Sequence, residues 1–179
     1  TCPGPEWRTR SGPVEVVFSP AAQKKKPDIT QQQHSGMNLS PAIEAEVTGI
    51  LDRYAAAYVK KDLAAFSRLF SPDITGYGSG PDEVIQNHRE LLRQLRRDTA
   101  QADVHAVTFS DRKVNYDGRI AWITAKNAII FSVGGGAKEI LDGRMTMVLK
   151  NTGSRWVIEQ LHFSMPYGGQ AAGQSFPGA

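Results

Sequence analysis

The chain has 179 residues, of which 40% are hydrophobic and 22% charged, enough for one domain with its own core. No apolar run approaches the roughly 18 to 20 residues of a membrane helix, and the single cysteine, Cys2, excludes an internal disulfide or a multi-cysteine zinc site. The net charge of +3 loses its pull toward nucleic acid once its position is read, because residues 1–36 hold Arg8, Arg10, Lys24, Lys25 and Lys26 against Glu6, Glu15 and Asp28. The remainder is nearly neutral, so neither nucleic acid nor a membrane is expected as a partner, and a cytoplasmic location is the expectation.

Residues 1–36 differ from the rest. They carry Pro3, Pro5, Pro13, Pro20 and Pro27, a lysine triplet and a polar run from Gln31 to Gly36. Only Val14 to Phe18 has strand character, so this segment reads as a tail or linker. Met37 is a candidate native start. A domain is expected over 37–168, followed by a flexible Gly/Gln/Ala-rich tail over 169–179.

A helix is expected from Ser40 and Pro41, the first a candidate N-cap and the second suited to the first helical position. Ile43, Val47, Ile50, Leu51, Tyr54 and Tyr58 then recur at helical spacing. Lys60-Lys61-Asp62 interrupts it, and Asp62 can cap a short second helix with Leu63, Phe66, Leu69 and Phe70 inside. Ser71-Pro72-Asp73 ends that helix. Ile74 to Gly78 reads as a short strand. A third helix is expected from about Pro81 or Asp82 to Asp98, with Val84, Ile85, His88, Leu91, Leu92 and Leu95 as its apolar stripe. Arg93, Arg96 and Arg97, following Glu90, read as its solvated face. Four strands follow: Val104 to Asn115, Arg119 to Val133, Ala137 to Lys150, and Ser154 to Met165. Asp117-Gly118, Gly134-Gly-Gly136 and Asn151-Thr-Gly153 supply the hairpin turns. Helices first and an antiparallel meander after give an α+β fold with helices packed on one sheet face.

The segments Tyr54 to Tyr58, Lys61-Asp-Leu-Ala-Ala-Phe66 and Leu69-Phe-Ser-Pro-Asp73, with Gly143 to Leu149 and Trp156 to Pro166, resemble the SnoaL-like members of the NTF2-like superfamily. The likeness covers about residues 38–167. It implies a cystatin-like cone, three N-terminal helices on a curved, mostly antiparallel sheet, and relationship to the ketosteroid isomerases and the calmodulin-dependent kinase II association domain. Function does not follow, because this scaffold hosts enzymes, binding modules and assembly domains.

Strand alternation then nominates pocket residues. Arg144, Thr146 and Val148 share one face. Trp156, Ile158, Gln160, His162 and Ser164 share one face of the last strand. Met145, Met147 and Leu149 oppose the first set, and Val157, Leu161 and Phe163 oppose the second. Arg144 offers a guanidinium fork for an anion or carbonyl, and His162 can exchange protons near neutral pH. The structural alternative pairs Arg144 with Asp142 or Glu159 and bonds His162 to backbone. His88 is a candidate second imidazole, or a helix histidine at the core edge. Tyr54 falls where the resemblance places an oxyanion-donor tyrosine; as a residue on an apolar helix face it also reads as packing. Thr75 to Ser79 and the neighbourhood of Thr146 lack the carboxylates that steroid isomerisation needs, so that activity is rejected. His88, His105 and His162 have no metal-ligand spacing, and Gly134-Gly-Gly136 is a turn rather than a phosphate loop.

The expectation is a small-molecule-binding protein with catalytic candidates His162, His88 and Tyr54 and ligand-binding candidates Arg144, Tyr58, Phe70, Tyr77 and Trp122. It needs no cofactor and no metal. The ligand is apolar or aromatic with an anionic or carbonyl group, and any chemistry is acid/base isomerisation, dehydration or cyclisation. The doubly apolar alternation of the last two strands also suits a homodimer, and the alternative function is a non-catalytic association domain.

Overall fold

The computed structural model describes residues 40–178, so the expected tail and its candidate strand Val14 to Phe18 lie outside the described residues. Helix α1 spans Pro41–Val59. Ser40 caps it by accepting from the Ile43 N–H at 3.3 Å, and Pro41 sits at its first position, where no donor is lost. Its C-terminus closes in a Schellman arrangement: Asp62 N–H donates to Ala57 O and Lys61 N–H to Tyr58 O. Lys61 takes the left-handed conformation (φ 53°) usually left to glycine. It is tethered there by Asp103 at 2.7 Å and the Thr99 carbonyl at 2.8 Å. Asp62 then caps α2, Leu63–Ser67, accepting from Ala65 N–H at 2.8 Å.

Strand β1 runs Phe70–Tyr77. The expected start of the third helix is replaced by a two-residue strand, β2 (Val84–Ile85), which pairs antiparallel with Gly76 and Tyr77. Two causes combine. The glycines of Gly78-Ser-Gly80 let the chain reverse, with Gly78 N–H bonded to Glu83 O at 2.8 Å, and Asn87 is the better cap, accepting from Glu90 N–H at 3.0 Å. Helix α3 therefore spans His88–Gln101 and buries Leu91 and Leu95.

The meander follows the expected order as β3 (Asp103–Asp117), β4 (Ile120–Ser132), β5 (Glu139–Asn151) and β6 (Trp156–Ser164). The sheet order is β2-β1-β6-β5-β4-β3. Among the described residues only β1 and β6 pair in parallel. The α+β reading with helices on a curved, mostly antiparallel sheet is therefore correct.

One sheet face carries the core. Ala121, Ile123 and Ala125 of β4 and Met145, Met147 and Leu149 of β5 pack under Val47, Ile50 and Leu51 of α1. Residues of β6 do not alternate simply: the register slips between Val148 and Leu149, opposite a bulge at Glu159. Trp156 and Ile158 on one side of the bulge and Leu161 on the other are consequently all buried in the core cluster. Trp156 and Ile158 thus do not share the face of His162. Among the described residues no helix is long and apolar enough to cross a membrane.

Candidate functional site

A cavity of about 240 Å³ opens between the helices and the core face of the sheet. Its walls are mainly apolar: Leu91 and Leu95 of α3, Met145 of β5, and Leu161 and Phe163 of β6 all contribute. Tyr54 and Tyr58 of α1 enter from above, their rings stacked 6.1 Å apart. They are one helical turn apart, so both point the same way. Phe66 packs beside both, at 4.7 Å from Tyr54 and 5.9 Å from Tyr58.

The polar end of the cavity comes from α3 and the turn before it. Tyr58 Oη donates to Asp98 Oδ2 at 3.4 Å. Burial, and then the negative charge of Glu83, push Asp98 up to about 6, while Arg97 and the Tyr58 bond pull the other way. The same burial drives the Tyr54 and Tyr58 phenols well above their usual range, so both are neutral donors. Glu83 is held in place by Gly80 N–H at 2.8 Å and by Arg97 Nη2 at 2.9 Å. Arg97 also grips Asp82, which lowers that carboxyl. Gly78 gives Glu83 and Gln94 room here, since a Cβ would oblige both side chains to shift.

The sequence-derived candidates divide among three places. Tyr54 and Tyr58 line the cavity, and Phe70 lies in the core behind Tyr54, rings 6.4 Å apart. Arg144, His162, Tyr77 and Trp122 do not face it. They lie on the opposite, uncovered sheet face, where Tyr77 is 54% and Trp122 38% exposed and the Tyr77 and His162 rings are 6.0 Å apart. The reason is that the helices cover the oily set headed by Met145 and Met147, so the polar set beside it is left outside. Glu159 pairs with Lys150 at 3.7 Å, not with Arg144. His88 fastens α3 to the end of α2: its Nε2 lies 3.1 Å from both Ser67 Oγ and Ser67 O.

Asp98, Glu83 and Gln94 were not singled out by sequence reasoning. One signal for Asp98 was present. It stands seven residues after Leu91 and three after Leu95, an acid on the buried stripe of an amphipathic helix. A carboxyl poised near neutrality beside a phenol, inside an apolar wall, can donate a hydrogen bond when protonated and accept a proton when ionised. Among the described residues no His/Cys/Asp/Glu group could hold a metal ion.

Solved structures share the architecture. A ketosteroid isomerase-like protein from Erwinia carotovora atroseptica aligns over 69% of this chain and 95% of its own length, at 14% identity and TM-score 0.59. A protein described as a dehydratase of the NTF2-like family, from Streptomyces avermitilis, aligns over 70% of this chain and 97% of its own, at 17% identity and TM-score 0.62. A protein with a cystatin-like fold from Nostoc punctiforme aligns over 74% and 97%, at 10% identity and TM-score 0.61. At these identities the likeness establishes the fold. No curated protein sequence matches the chain. The SnoaL-like domain profile matches residues 47–168, which take in the whole cavity, and the chain belongs to the SnoaL-like domain family.

Proposed function

We propose that this protein binds a compact, largely apolar or aromatic small molecule in the α1–α3 cavity, and that Asp98 with Tyr58 recognises its carbonyl or hydroxyl group. The observation that carries the reading is the Asp98 carboxyl, bonded by Tyr58 at 3.4 Å and held near neutrality within apolar walls. Buried polar groups in such a cavity orient a ligand while the apolar walls supply affinity. The same carboxyl equips the site for acid/base isomerisation, dehydration or cyclisation. Neighbours described as a dehydratase and as ketosteroid isomerase-like support that class of chemistry by analogy of fold. An open cavity ending in a carboxyl supports ligand binding over the assembly-only alternative.

Two naphthalene-sized probes test this. 1-Tetralone accepts a hydrogen bond and should bind more tightly below about pH 6, where Asp98 is protonated. 2-Naphthol donates one and should bind more tightly above it. Asp98→Asn should flatten both profiles. Absence of binding by either probe, or identical pH profiles for the two, would sink the reading.

The homodimer belongs to the same proposal. The uncovered face displays Trp122, Tyr77 and Ile120, exposed by 38%, 54% and 37%, beside Val148. A second copy would cover them, and sedimentation equilibrium of Trp122→Glu against the parent chain tests it: both monomeric, or both dimeric, contradicts this face. A cytoplasmic location is proposed on the single cysteine alone.

A further inference from the structure

A second depression lies away from the cavity, where the end of α1, α2 and the β5–β6 turn meet, with a volume of about 570 Å³. Four cations border it from three separate places: Arg53 of α1 with Lys60 at its C-cap, Arg68 just after α2, and Arg155 before β6. Four other arginines of the domain are paired with carboxylates, whereas Arg96, Arg119 and Arg144 stand apart from this groove. Arg89 and Arg93 reach Glu90, Arg97 reaches Asp82 and Glu83, and Arg112 reaches Asp52. Among the described residues, none of the four groove cations has a carboxylate within ion-pair distance.

We propose that this groove is an anion-binding site for a phosphate-bearing small molecule, separate from the cavity. Glu46 and Asp62 are the acids at its border, and the Asp62 carboxylate already accepts from Ala65 N–H at 2.8 Å. Four cations against two carboxylates leave an excess of two positive charges, which the dianion of a phosphate monoester matches. Three of the four are arginines, whose planar fork suits phosphate oxygens. Ala56, Ala57 and Ala65 also line it, and their small side chains leave the helices open to an anion. Trp156, only 7% exposed, closes the groove on its core side.

Sodium pyrophosphate, titrated into the full chain by calorimetry at low salt, tests the site. We expect one site per chain, a Kd below about 1 mM, and weakening as salt rises. Arg68→Gln and Arg155→Gln should each weaken binding about tenfold. Arg144→Gln, which removes an exposed arginine outside the groove, should leave it unchanged. All three positions are on the surface, so urea unfolding should confirm that each variant folds as the parent does. Absence of saturable binding up to about 10 mM, or an equal loss with Arg144→Gln, would overturn the proposal. So would undiminished binding by the Arg68→Gln/Arg155→Gln pair.

Discussion

Asp98→Asn should make this protein more stable at neutral pH, and the gain should vanish in acid. In the folded chain the Asp98 carboxyl is pushed from an ordinary 3.8 up to about 6. Its proton is therefore held more tightly folded than unfolded. The folded state is unpenalised below about pH 4, loses stability as pH rises toward 6, and carries the full penalty above it. At 1.36 kcal/mol per pKa unit, the gap sets an upper bound of about 3 kcal/mol. Partial solvent access and screening bring this to roughly 1–2 kcal/mol. Asparagine keeps an acceptor for the Tyr58 hydroxyl at the same position and cannot ionise. Urea unfolding of both proteins at about pH 4, 5, 6 and 7.5 isolates the effect, because other titrating groups are common to both. The difference should grow between about pH 4 and 6 and then stay level, reaching a midpoint shift of roughly 3–6 °C in thermal unfolding. A variant less stable than the parent at neutral pH, or a difference independent of pH, would refute the assignment of a strained carboxyl to this cavity.

Tyr58→Phe removes the bond that holds the Asp98 pKa down, so the carboxyl should titrate above about 6 when followed by carbon NMR; a fall would contradict the geometry. Arg97→Gln should move the same resonance in the same direction, because Arg97 is the cation opposing the effect of Glu83. His88→Ala should cost about 1 kcal/mol in urea unfolding through its lost bonds to Ser67, while tetralone affinity stays as in the parent; a large loss of affinity would return His88 to the site. Gly76→Ala should destabilise by about 3 kcal/mol or prevent folding, since its Cβ would collide with the Leu161 backbone carbonyl in the β1–β6 pairing. A near-neutral effect would mean that the strands can separate there.

Legibility in the sequence followed the range of the physics. Ser40, Pro41 and Asp62 announce their helix ends because capping is settled within a few residues. The Gly-containing turns announce the meander for the same reason. Asn87 was equally local, yet the apolar pair Val84-Ile85 read as helix stripe, since a two-residue strand is too short to show a period. The site was harder. Alternation separates the two faces of β5 but does not say which one the helices will cover, and Arg144 drew attention to the face that stays open. The Glu159 bulge broke the parity of β6, which no local pattern marks. Asp98 was visible only as an acid out of place on an apolar stripe, and its partner Tyr58 lies forty residues earlier.

The pairing of β1 with β6 ties the birth of the cavity to the order of synthesis. A ribosome releases α1, α2 and β1 before the meander, yet apart from short β2 the sheet partner of β1 is the last of the described strands to be made. Until that strand emerges, β5 presents an unpaired edge carrying Met145, Met147 and Leu149, and the cavity lacks its Leu161 and Phe163 wall. Closing so distant a contact is slow compared with forming the hairpins between. A nascent chain stalled before Trp156 therefore leaves core surface exposed, and a ligand of the proposed cavity would stabilise only a chain in which β6 has been released.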